Sequence, residues 1–146
     1  MNGLQPPQVT KKGINIPQNI KLYSRNSHKH IRLRMSGVDG KGLRTDSDAQ
    51  LVLESVGFGG QVQIKSSSGK RYLCVAGHGA FIVKFFKNQS QAHIDHCIFI
   101  QGHYNGYTVY RTKVHKDWYL GIKNDGRLKS AKKTSITQRA THFIEI

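Results

Sequence analysis

The chain has 146 residues, which suits a single domain with a hydrophobic core of its own. Lys and Arg number 23 against 8 Asp and Glu, a formal net charge of +15, so the expected partner is anionic: nucleic acid, an acidic membrane surface or a sulfated polysaccharide. Two cysteines are too few for the multi-bridge framework of a small secreted module, and no apolar run is long enough to span a bilayer, so membrane insertion is not expected.

Residues 1–19 hold all three prolines, little apolar content and no periodicity, and are read as a flexible N-terminal arm without the apolar segment of a signal peptide. One domain is expected over residues 20–146. From Ile20 onward the apolar residues come in short alternating runs, "IRLRM", "LVLES", "VQIKS", "RYLCV", "CIFIQ" and "THFIEI", each bounded by Gly, Ser, Asn or Asp. No stretch keeps helical spacing. The chain is therefore predicted to be all-β with many short strands.

Within those strands one template recurs three times: aromatic, aliphatic, any, aliphatic, three of any kind, glycine. It covers His30, Ile31, Leu33 and Gly37; then Tyr72, Leu73, Val75 and Gly79; then Tyr119, Leu120, Ile122 and Gly126. A second apolar strand follows each copy, around Leu51, Phe99 and Phe143. Three copies of a four-strand unit predict a β-trefoil, a six-stranded barrel of threefold pseudosymmetry capped by three hairpins, with twelve strands in all. A glycine is required at each tight turn because positive φ costs a residue with a side chain roughly 1 kcal/mol or more.

Over about Ile20 to Ile146 the chain resembles the fibroblast growth factors. The matching pieces are "KLYSRN", "VQIKSSSGKRYLCV", "HCIFIQ", "YTVYRT" and "DWYLGIKNDGRLKSAKKTSITQRATHF", in matching order and spacing. It departs from the family pattern in His96 before the core cysteine, a loop one residue shorter before Tyr107, no glycine in "TSITQ", and Gln101 where a receptor-engaging glutamate is frequent. The resemblance implies a secreted ligand, not an enzyme, that binds heparan sulfate as a co-receptor and activates a receptor tyrosine kinase. No cofactor is implied. Carried over residue by residue, the heparin-binding set is Asn26, Lys123, Asn124, Arg127, Lys129, Lys133, Gln138 and Arg139, with Lys132 added on charge grounds. The receptor-binding set is Tyr23, Arg25, Gln101, Tyr107, Ile144 and Ile146.

The residues themselves support the first set. Between Arg111 and Arg139 lie nine basic residues and only two acids, Asp117 and Asp125, a density beyond what solubility requires. A hairpin with fixed ends holds such charges together without the entropic cost that a disordered tail suffers on binding. Nucleic acid fits less well: single-strand binding uses exposed aromatics among the cations, and only Trp118 and Tyr119, at the entrance of the segment, are available. For the second set, alternation along the last strand turns Phe143 inward and Ile144 outward.

Other motifs are set aside. "HIDHC", read as a strand, splits its ligand-type side chains between two faces, and no metal is expected. Cys97 is read as a small buried thiol. "SSSGKR" lacks the first glycine and the Ser or Thr of a phosphate loop, and "NQS" at Asn88 is a glycosylation acceptor only in the secretory pathway. The rival function is an intracellular trefoil of the same family, cytoplasmic or nuclear, binding a channel tail or nucleic acid through its basic face. A trefoil lectin would carry Gln-x-Trp repeats, which are absent.

Overall fold

The computed structural model describes residues 17–146, so the first sixteen residues of the expected arm lie outside the described range. Eleven strands follow: β1 (Gln18–Ile20), β2 (Leu22–Ser24), β3 (His30–Arg34), β4 (Gly37–Gly42), β5 (Leu51–Ser55), β6 (Gln61–Ser66), β7 (Arg71–Val75), β8 (Phe81–Phe85), β9 (Phe99–Tyr104), β10 (Tyr107–Thr112) and β11 (Phe143–Glu145). All described ladders are antiparallel.

The neighbour order β1-β5-β6-β9-β10-β11-β2 closes into a ring, because β1 and β2 are one strand interrupted only at Lys21. One half pairs with β5, Ile20 opposite Leu51, and the other with β11, Tyr23 opposite Ile144. Reciprocal backbone bonds between Lys21 and Ile146, both 2.9 Å, seal the junction. The result is the six-stranded barrel of a β-trefoil, with no free edge along the ring.

Hairpins β3–β4 and β7–β8 form two of the three caps. The third is reduced to two isolated bridges, Arg111–Tyr119 and Ile122–Leu128, which is why eleven strands stand where twelve are expected. Backbone groups of this segment are shared among several neighbours instead of one ladder: Leu120 N donates to Tyr110 O, Ile122 N to Ala140 O and Lys129 N to Gly121 O.

Template positions line the core threefold. Ile31 and Leu33, Leu73 and Val75, Leu120 and Ile122 are buried, joined by Leu51, Phe99 and Phe143 from the following strands. The template glycines Gly37, Gly79 and Gly126 all have positive φ. At the aromatic position His30 and Tyr72 are buried, whereas Tyr119 is half-buried at the rim.

Two expectations are corrected. Cys97 is not a free thiol: it is disulfide-bonded to Cys74, tying β7 to the turn that precedes β9. That turn brings Cys97 to β7 because Asp95–Cys97 is a 3-10 turn, not the strand expected of "HIDHC". Ile94 N donates to Ala92 O and Cys97 N to Ile94 O, so the local backbone bonds of a turn replace a ladder.

Candidate functional site

The basic surface is built on the third cap. Ile122 and Leu128 bridge, Lys123 N donates to Arg127 O at 2.7 Å, and Gly126 N returns to Lys123 O, so residues 123–126 form a tight turn. At Gly126, φ is +90° and an added Cβ would stand 2.5 Å from the Lys41 side chain and 3.2 Å from Gly40 O, so only glycine fits there. Asp125 accepts from both the backbone N and the Nε of Arg127, at 3.0 and 2.8 Å. The Arg127 N–H first, and then its guanidinium and Lys123, hold the Asp125 carboxyl below its ordinary range.

Beyond the turn, polar bonds tie side chains to one another and to the backbone. Lys129 Nζ donates to Gln138 Oε1 at 3.1 Å, Gln138 Nε2 donates to Lys133 O at 3.1 Å, and Asn26 Nδ2 donates to Ile122 O at 3.0 Å. Asn26, Lys123, Asn124 and Lys129 line an open cleft of about 340 Å³ floored by Ala140. The structure thus brings together Asn26, Lys123, Asn124, Lys129, Gln138 and Lys133. Arg139 is exposed on the 3-10 turn Arg139–Thr141 that supplies Ala140. Lys132 lies against Gly79 of the second cap, where an added Cβ would meet its Cγ at 3.1 Å.

Among the described residues, Lys123, Lys129, Lys132, Lys133 and Arg139 have no acidic partner, whereas Arg127 is paired with Asp125. Two contributors escaped the sequence reading. Lys41, exposed on the first cap, lies against Gly126, with Gly40 N donating to Gly126 O at 2.7 Å. His78, exposed on the second cap, lines a cleft of about 370 Å³ with Lys123 and Lys129. No local motif marks either residue; the threefold repeat, which sets the three caps side by side, is the one signal that could have found them.

A second surface spans the neighbouring strands β9, β10, β11 and β2. Tyr104, Asn105, Gly106 and Tyr107 form a two-residue hairpin turn, with positive φ at both central residues and the two tyrosines directly opposite each other. Both tyrosine rings stack on His142, at centroid distances of 5.2 and 5.3 Å. The shortened loop before Tyr107 is therefore a tight turn that seats this stack.

His142 is buried, and both of its nitrogens are used. Arg25 Nη1 donates to Nδ1 at 3.0 Å, and Nε2 donates to Ile136 O at 2.7 Å; guanidinium only donates and carbonyl only accepts, so the neutral ring carries its proton on Nε2. The Arg25 guanidinium also sits 4.6 Å over Tyr107. Ile144, opposite Tyr23, is 44% exposed, and Ile146 is 61% exposed, while Phe143 is fully buried. Tyr23, Arg25, Tyr107, Ile144 and Ile146 are thus grouped on adjacent strands. Gln101 lies on β9 opposite Tyr110, its Nε2 donating to Glu145 Oε2 at 2.5 Å.

The fibroblast growth factor family's sequence model matches residues 18–144. Fibroblast growth factor 18 of Homo sapiens is 32% identical over 138 residues, covering 94% of this chain and 63% of that protein. Fibroblast growth factor 17 of Danio rerio is 32% identical over 139 residues, covering 94% and 61%, and its Homo sapiens counterpart is 26% identical over 144 residues, covering 98% and 63%. The chain therefore spans a little over three-fifths of the length of these relatives. With the barrel, the three caps and this match along nearly all of the described residues, the chain belongs to the fibroblast growth factor family.

Proposed function

We propose that the chain is an extracellular signalling ligand that binds heparan sulfate through the basic cradle on its caps and a receptor tyrosine kinase through the face formed by β2, β9, β10 and β11. The observation that carries this reading is the separation of two prepared surfaces on one rigid barrel. One gathers cations on and beside the turn at Gly126, with the Lys129 ammonium bonded to Gln138 and the backbone at Ile122 and Lys133 held by Asn26 and Gln138. The other presents Tyr23, Tyr107, Ile144 and Ile146 framed by Arg25, the mixture of aromatic, aliphatic and arginine groups that interface centres favour.

A sulfated chain held at the cradle would raise receptor occupancy by joining two weak sites, an effective-concentration effect. The Cys74–Cys97 bridge supports an oxidising compartment over the cytoplasm or nucleus. Replacing Lys123, Lys129 and Lys133 together by alanine should lower the salt needed for elution from heparin well below that of a control lacking Lys11, Lys12 and Lys21. Equal effects of the two triple variants would reduce the cradle to bulk charge. For the receptor half of the reading, the full chain with heparin should stimulate receptor phosphorylation in cells displaying a fibroblast growth factor receptor, and its failure to do so would reject it.

A further inference from the structure

Of the seven asparagines in the chain, Asn88 alone opens an Asn-x-Ser tripeptide, completed by Gln89 and Ser90. Neither the basic cradle nor the receptor face uses it. Asn88 follows β8, where it is exposed and caps the 3-10 turn Gln89–Ala92. Its Oδ1 accepts from Gln91 N at 3.3 Å and from the Ser90 hydroxyl at 2.8 Å, whereas its Nδ2 makes no hydrogen bond among the described residues.

A side-chain amide so divided is ready to carry a sugar. In N-glycosylation a bond forms from Nδ2 to C1 of an oligosaccharide while C1 parts from the diphosphate of a polyprenyl carrier, which leaves with the bonding electron pair. Nδ2 gives one of its two protons to a base of the transferase. The amide keeps its other N–H and its carbonyl, so Oδ1 goes on capping the turn and no hydrogen bond of the fold is lost. Access is provided as well. Gln89, Ser90 and Gln91 are exposed, and the turn's backbone bonds, Gln91 N to Asn88 O and His93 N to Ser90 O, are long at 3.3 and 3.4 Å, so the segment opens at little cost.

The turn is tied to β5, through Gln89 Nε2 donating to Glu54 Oε2 at 2.6 Å, and to β6, through Gln63 Nε2 donating to Ala92 O at 2.6 Å. Neither strand belongs to the face of β2, β9, β10 and β11. In the other direction β8, five residues and about 17 Å long, lies between this turn and the hairpin tip that carries His78 beside the cradle. The Cys74–Cys97 bridge belongs to an oxidising compartment, and in eukaryotic cells the transferase works in the same one.

We propose that Asn88 is the acceptor of an N-linked oligosaccharide, carried on the second repeat clear of both the cradle and the receptor face. This rests on the extracellular part of the reading above and is independent of its receptor part.

The test uses the full chain, led into the secretory pathway of cultured animal cells by a cleavable export leader and recovered from the medium. Its intact mass should exceed that of the polypeptide by a glycan, and peptide N-glycosidase should remove the excess and leave aspartate at position 88. Asn88→Gln and, separately, Ser90→Ala should be secreted without the added mass. Because Ser90→Ala keeps the asparagine, its loss of the glycan shows that the tripeptide is what the transferase reads. Wild-type chain exported with Cys74 and Cys97 bridged but without added mass, or a glycan retained by either variant, overturns the proposal and leaves the extracellular reading standing. A chain held back in the cell with both cysteines reduced loses the extracellular reading, and this proposal with it. Heparin elution and receptor phosphorylation should be the same before and after enzymatic removal of the glycan; loss of either by the glycosylated form alone overturns the placement. A glycosylated chain that stimulates no receptor with or without its glycan rejects the receptor reading and leaves this proposal intact.

Discussion

His30 shows how one buried side chain makes stability depend on pH. It is 7% exposed, its Nδ1 has no hydrogen-bond partner, and the Tyr23 ring meets it edge-on at 5.5 Å. Burial first, then the charges of Lys21 and Arg44, lower its pKa from the ordinary 6.5. Below about pH 6.5 the unfolded chain therefore takes up a proton that the folded chain refuses, so the stabilisation present above that pH is lost as pH falls through the folded value. His30→Phe should flatten the slope of unfolding free energy between about pH 7 and 5 relative to wild type, measured by urea denaturation. Asp39 acts in the same direction at lower pH. Burial alone would raise its pKa, but the bonds from Arg32 at 3.0 Å and Lys41 N at 2.9 Å outweigh it, and the net shift is downward.

At the scale of elements, the second repeat is held by a link that neither of the others has. Cys74 on β7 and Cys97, separated by 23 residues, are bridged, and the same region is cross-tied by Gln63 Nε2, which donates to Ala92 O at 2.6 Å and Cys97 O at 3.2 Å. These bonds take the place of strand pairing along a segment built of the 3-10 turns Gln89–Ala92 and Asp95–Cys97. Replacing both cysteines by alanine should cost about 3 kcal/mol, seen as a lower urea midpoint, while the far-ultraviolet spectrum is retained. Reduction of the wild-type protein should reproduce that loss. The third repeat has no such link; Ala131 N donates to Gly79 O and Ile122 N to Ala140 O, so backbone bonds tie its cap to the second cap and to the turn before β11.

For the molecule as a whole, six acids are paired with cations, yet the net charge remains +15 and the cradle cations stand unneutralised among the described residues. Self-repulsion of this kind weakens the compact state, and a polyanion that binds only the folded arrangement relieves it while adding its own binding energy. Saturating heparin should raise the melting temperature by about 5 °C or more, and uncharged dextran should leave it unchanged, both read by scanning fluorimetry. The Lys123, Lys129 and Lys133 triple variant should lose most of the heparin-dependent shift.

The amino-acid pattern alone determined the all-β class, the threefold repeat and its turn glycines, because strand alternation and positive φ are properties of a few neighbouring residues. It also located the dense cations between Arg111 and Arg139, since they are contiguous in the chain. Tertiary structure alone decided that Lys41 and His78 join them, that His142 seats Arg25 and two tyrosines, that Cys74 bonds to Cys97, and that Gln101 and Tyr110 both donate to Glu145. Each of these joins residues far apart in sequence, and they meet only because the ring closes: β1 and β2 share one strand between β5 and β11, and that closure sets which side chains become neighbours.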